Sequence, residues 1–203
     1  MPQQSSMHSY LNWAKERIDE MDAALASLEG KASQAKADSK EKGDQLIADL
    51  KKRRGVFEAL VRQHADAGEA AWARTKVELE SQWDEFEGQV KTYIETVGEQ
   101  MGQQQAIFRD VAAAQVKAWR EAADAVRDST AKLAAAKRSE IDAAVKQMQA
   151  EATEAEARLH KVKQAGSESW AALSAALSET RKAFDQANRV AWDAFKRALP
   201  PQA

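Results

Sequence analysis

The chain of 203 residues contains no cysteine. Disulfides, thiolate metal sites and cysteine nucleophiles are therefore excluded. Proline is almost absent too: its three copies are Pro2, Pro200 and Pro201, so none can break a helix in between. No uninterrupted apolar run approaches the roughly 20 residues needed to span a bilayer. Met1–Ser6 shows no basic region followed by an apolar run, so no secretory leader is expected and the default address is the cytoplasm. Charge of one sign is lacking as well. Thirty basic residues stand against 32 acidic ones, for a net charge of −2. A nucleic-acid binder normally carries a basic face. The nearest feature is Lys51-Lys52-Arg53-Arg54, one cluster in a mixed stretch. It reads as a solvated or paired helix face, and no nucleic-acid partner is expected.

Catalytic signatures are missing in the same way. There is no glycine-rich phosphate loop. The histidines, His8, His64 and His160, are far apart, and none begins a metal motif. Glu156 and His160 share a helix face four residues apart. A carboxylate-bridged di-iron bundle would need two Glu-x-x-His pairs and further inward glutamates, and these are absent. The sequence predicts no enzyme, no metal and no cofactor.

What the chain does have is helix formers in phase. Charged residues make up 31%, and alanine, glutamate, lysine, glutamine and arginine dominate. Apolar side chains recur every eleven residues. One register runs Phe57, Gly68, Leu79, Val90, Met101, Ala112. A second runs Leu50, Val61, Trp72, Trp83, Ile94, and a third Phe86, Val97, Phe108, Trp119. Eleven residues in three turns is about 3.67 per turn, close to the relaxed α-helix, so the stripe stays on one face. The fold class read from this is all-α: long amphipathic helices with heptad and 11-residue repeats, forming a coiled coil or an elongated helical bundle.

Four units follow along the chain. Residues 1–28 form an N-terminal heptad helix with Leu11, Ala14, Ile18, Met21, Leu25 and Leu28 on its stripe, capped by Ser6 or Ser9. Residues 29–45 are a polar connector bracketed by Gly30 and Gly43, either a turn near Gly30 or a thin helix. Residues 46–165 are a long helical region carrying the eleven-residue stripe, with a turn or kink favoured near 98–105, where Gly98 and Gly102 lie. Unbroken, that region would be a rod of roughly 180 Å at about 1.5 Å per residue. Residues 166–203 are a C-terminal amphipathic helix and tail, with Gly166 and Ser167 at its start and Pro200-Pro201 as its stop.

The expected seam comprises Leu11, Ile18, Leu25, Phe57, Val61, Trp72, Leu79, Trp83, Phe86, Val90, Ile94, Val97, Phe108, Trp119, Trp170, Leu173, Leu177, Phe184, Trp192 and Phe195. The six tryptophans either fill this seam or anchor an amphipathic helix at a lipid or polymer surface.

The C-terminal stretch Glu168-Ser-Trp-Ala-Ala-Leu-Ser-Ala-Ala-Leu, continuing to Ala191-Trp-Asp-Ala-Phe-Lys-Arg-Ala, resembles the tail of small bacterial alanine-rich coiled-coil proteins. The eleven-residue period is similar to that of exchangeable apolipoproteins. More remotely the chain resembles phasins, which coat polyhydroxyalkanoate granules, although no phasin motif maps onto particular residues. These resemblances imply a non-enzymatic scaffolding or coating role. The leading expectation is a structural protein that self-associates, as a homo-oligomer or with a helical partner, through the seam. The alternative is an amphipathic coat on membranes, lipid droplets or granules. Alternating charges such as Lys15-Glu16-Arg17 and Lys76-Val77-Glu78 favour helix pairing over attraction to anionic lipid.

Overall fold

The computed structural model describes residues 3–33, 37–65, 69–131, 133, 135–162 and 167–198. Some side chains at helix ends, among them those of Trp72, Trp170 and Leu173, lie outside what is described. The described residues form an all-α bundle of six helices: α1 (Gln3–Ala32), α2 (Ala37–Ala65), α3 (Glu69–Val97), α4 (Met101–Thr130), α5 (Ala135–Val162) and α6 (Ser167–Ala198). No described helix is long and apolar enough to cross a membrane. With about 30 residues apiece, each helix is about 45 Å long at about 1.5 Å per residue.

This division corrects several boundaries read from the sequence. α1 starts before Ser6 and Ser9, which lie within it, and it runs through Gly30 to Ala32. The expected connector 29–45 is therefore mostly the end of α1 and the start of α2. The region 46–165 is shared among four helices rather than forming one unit. Its Gly98 break has a clear cause. Gly98 donates its N–H to the Ile94 carbonyl at 2.9 Å, and its own carbonyl accepts from Gln104 Nε2 at 2.9 Å. Gln100 then opens α4, its carbonyl accepting from the Gln103 and Gln104 N–H groups. A Cβ on residue 98 would lie 2.7 Å from the Ile94 oxygen and 2.5 Å from Gln104 Cγ, so only glycine fits without a shift. A Cβ on Gly102 would meet nothing within 4 Å.

The helices form two similar halves. In the first, Arg54 of α2 pairs with Asp22 of α1 and Arg53 of α2 with Glu85 of α3, so neighbours run antiparallel. α3 then returns parallel to α1, and Tyr93 Oη donates to the Leu28 carbonyl, 65 residues away, at 3.1 Å. The second half repeats this. α5 meets α4 through Arg120 and Glu156, and α6 meets α5 through Arg197 and Glu140. Arg181 of α6 donates to Gln115 of α4, 66 residues away. The halves join along antiparallel α1 and α4, where Lys31 and Asp110 are 2.6 Å apart.

Each half has its own core. Met21, Leu28, Leu50, Phe57, Leu79, Phe86 and Tyr93 fill the first, with the start of α4. Trp119, Val126, Ile141, Met148 and Phe184 fill the second, with fully buried Ala123, Ala152, Ala155 and Ala191. These alanines let α5 approach α6 closely, the most extensive pairing in the bundle. Phe108 on α4 touches both cores.

The Gly98 geometry predicts a contrast. Gly98→Ala should destabilise the fold by about 1–3 kcal/mol through forced displacement. Gly55→Ala, mid-helix with open space around it, should stabilise it by about 0.5–1 kcal/mol. Thermal melting of the two variants checks the opposite signs.

Candidate functional site: a buried charge cluster beside an apolar cleft

Between the two cores lies a polar junction built from α1, α3, α4 and α6. On α1, Arg17 is 1% exposed, Glu20 0% and Glu16 6%. Arg17 Nη2 lies 2.7 Å from Glu20 Oε1 and donates to Asp185 Oδ1 on α6 at 2.5 Å. Arg181, one turn before Asp185, donates from Nε to Glu20 Oε2 at 3.1 Å and from Nη2 to Gln115 Oε1 at 3.2 Å. Its Nη1 pairs with Glu87 of α3. Asn188, a further turn along α6, donates to Glu16 Oε1.

Tryptophan faces cover the two guanidinium groups. The Arg17 Cζ lies 5.0 Å from the Trp83 ring and 5.6 Å from Trp13. The Arg181 Cζ lies 5.2 Å from Trp83 and 5.9 Å from Trp119. Trp83 thus serves both arginines, and such cation–π contacts gain strength where water is excluded. Trp119 stacks on Phe184 at 5.1 Å, which carries the junction into the second core.

Four carboxylates face two guanidiniums here, and the balance shows in their protonation. Burial raises the Asp185 carboxyl to about 6, against the opposing pull of Arg17. Burial likewise pushes Glu16 well above the ordinary carboxylate range, again with Arg17 opposing. Glu16 Oε2, Arg17 Nε and Asn188 Oδ1 are buried without a hydrogen-bond partner. The junction is therefore paired but not fully satisfied, a costly arrangement.

A cleft of about 690 Å³ opens beside this cluster between α3, α4 and α6. Val90, Ile94, Phe108, Val111, Val116 and Leu177 form apolar walls. Arg181, Gln115 and Glu87 belong to both the cleft and the charge cluster, while Lys91, Glu95, Ser174 and Ser178 also line it.

The described seam residues all lie inside the chain. Leu25, Phe57, Leu79, Trp83, Phe86, Val90, Ile94, Trp119, Leu177 and Phe184 are buried, and Leu11, Ile18, Val61, Val97, Phe108, Trp192 and Phe195 are half-buried. The side chains of Trp72, Trp170 and Leu173 fall outside the described ones. Glu156 pairs with Arg120 of α4 at 2.6 Å rather than forming a site with His160. In the basic cluster, Lys51 faces Glu29, Arg53 faces Glu85 and Arg54 faces Asp22 and Glu58, so this stretch is a paired helix face. Among the described residues, no group of three or more histidines and carboxylates is placed to hold a metal.

The sequence reading missed Glu16, Arg17, Glu20, Gln115, Arg181, Asp185 and Asn188. On α1, the Arg17–Glu20 pair has the spacing of any exposed ion pair. On α6 a signal existed: Arg181 and Asn188 occupy inward positions between Leu177 and Trp192, where the stripe calls for apolar side chains. No known protein family, curated protein or solved structure matches this chain.

Two predictions come from the cluster. Arg17→Leu strands buried carboxylates and should cost about 3–5 kcal/mol in urea unfolding at neutral pH. Asp185 gives a pH dependence. Its folded pKa of about 6 lies above the ordinary 3.8. Between those values the folded chain holds a proton that the unfolded chain has released, so this group's contribution to stability falls as pH rises from about 4 to 6 and is flat above. Asp185→Asn should accordingly gain about 3 kcal/mol relative to the native chain between pH 4 and pH 7. Urea titrations of both proteins at the two pH values measure it.

Proposed function

We propose that this chain is a non-enzymatic helical scaffold that holds a small apolar molecule in the cleft between α3, α4 and α6. The observation carrying this reading is the cleft itself: about 690 Å³ of space with apolar walls and with polar and charged groups, from Glu87 and Arg181 to Glu95 and Gln104, along its length. That is the size and character of small-molecule sites, at about 300–1,000 Å³. Elsewhere the described surface offers little apolar area, since Val56, Val77 and Val190 are its only exposed large hydrophobics.

Self-association through the stripe gains less support. The described stripe side chains are already packed within one chain, so a second copy or a helical partner would have to dock elsewhere. The coating alternative requires the bundle to open. One observation favours it as a second reading: the two cores meet across a polar junction rather than merging into one. Co-sedimentation with vesicles addresses it directly, since a closed bundle should stay in the supernatant.

The cleft reading is tested with the uncharged fluorescent probe N-phenyl-1-naphthylamine. The native chain should bind it saturably, near one equivalent. Ser178→Trp, at an exposed position lining the cleft, should weaken binding at least tenfold while the melting temperature stays unchanged. Absence of saturable binding, or equal binding by the variant, would overturn the proposal.

A further inference from the structure

α6 does two jobs at once. Leu177, Ser178 and Arg181 form one wall of the cleft, and Arg181, Asp185 and Asn188 fasten the same helix to α1. We infer that this fastening is a proton-operated clasp: protonation of Asp185 and Glu16 holds α6 against α1 and narrows the cleft, and their ionisation releases α6 and widens it. The inference rests on the cleft reading for its consequence, but the movement of α6 stands apart from any ligand.

The argument starts from the groups around the two carboxyls. Arg17 and Glu20 of α1 and Arg181 of α6 face Asp185. Arg17, Asp19 and Glu20 on α1, and Asp185 and Asn188 on α6, face Glu16. From α3, Glu87 reaches the cluster through Arg181, and from α4 Gln115 does the same. α5 packs along α6 through the second apolar core, with Arg158 on the Ala176 carbonyl and Glu140 on Arg197 near the two ends. Two guanidiniums thus serve four carboxylates in a junction largely closed to water. Ionising Asp185 and Glu16 places two further carboxylates in poorly hydrated surroundings, and that burial, more than repulsion among the acids, favours an opened and hydrated junction. With Asp185 and Glu16 protonated, Glu20 and Glu87 match the two arginines one for one. The α6 side of the cluster is the one that yields: α1 is held by α2, α3 and α4 together, whereas α6 is joined to α1 over a short stretch and moves with α5, on which it packs most extensively. The burial that raises Asp185 to about 6 places its change in the mildly acidic range, and burial moves Glu16 upward as well.

Because the chain has no cysteine, two introduced cysteines can carry spin labels at unique sites. Ala26→Cys on α1 and Ala175→Cys on α6, both exposed positions, report the helix separation. In the unliganded protein the distance should lengthen between pH 5 and pH 8. In the labelled protein that also carries Glu16→Gln and Asp185→Asn, it should stay at its short value at both pH values. A distance unaffected by pH in the otherwise native chain, or the same change in the neutralised variant, would overturn the clasp. N-phenyl-1-naphthylamine binding measured at both pH values separates the two ideas. A distance change without probe binding leaves the clasp standing and removes the cleft reading, while binding without a distance change does the reverse.

Discussion

The burial of Arg17 and Arg181 together, both on Glu20 and both within cation–π reach of the Trp83 ring, is the contact on which the bundle's arrangement turns. Two three-helix halves, each with its own apolar core, could pack against each other in many ways. The arginines come from opposite halves, and both reach Glu20, while Trp83 lies within cation–π distance of each. Removing either guanidinium takes one of two partners from the buried Glu20 carboxylate. The junction is therefore intolerant of partial formation, and it ties α1, α3, α4 and α6 to one relative position.

The helical character of the chain is legible in its sequence because every local preference agrees: strong helix formers, no internal proline and apolar side chains at helical spacing. The number of helices is not legible from the same pattern. Successive helices begin at Gln3, Ala37, Glu69, Met101, Ala135 and Ser167, every 32–34 residues. Three eleven-residue repeats make almost the same length. A stripe with that period therefore stays in phase across each turn, and a rod and a folded bundle share one pattern. Gly68 falls in an eleven-residue register, so the register hides the break between α2 and α3. Residues 131–134 hold neither glycine nor proline, and α4 still ends before them at Thr130. Gly98, backed by Gly102 and a run of glutamines, stands out as a turn, and Gly166 and Ser167 mark the start of α6.

The candidate site was less visible for a related reason. Helical periodicity identifies the face that is buried, and it treats charged residues as solvent-facing by default. α1 breaks that default because it packs against α2, α3, α4 and α6 together, leaving few exposed positions through its middle. Arg17 and Glu20 are buried by the number of neighbours, which a single helix pattern cannot reveal. The cleft is still further from the sequence. It exists because α3 and α4, although joined by a three-residue turn, meet over only a short stretch, and α6 closes part of the gap.

A repetitive stripe carries a hazard that the charge cluster counters. If apolar residues recur every eleven positions, two helices can slide past each other by eleven residues and still bury similar side chains, at a small difference in free energy. For α6 sliding on α1, a shift of eleven residues toward its N-terminal end would set Trp192 where Arg181 now meets Glu20. Glu20 and Glu87 would lose the guanidinium they share, and Arg17 would lose Asp185. Buried Arg17 and Glu20 would lose partners together, at about 3–5 kcal/mol for a broken buried pair. Alignment of the halves is thus decided by the residues that the apolar pattern ignores. The same imbalance of acids over bases that makes this lock expensive to misplace also makes it responsive to protons, so specificity of packing and sensitivity to pH arise from one cluster.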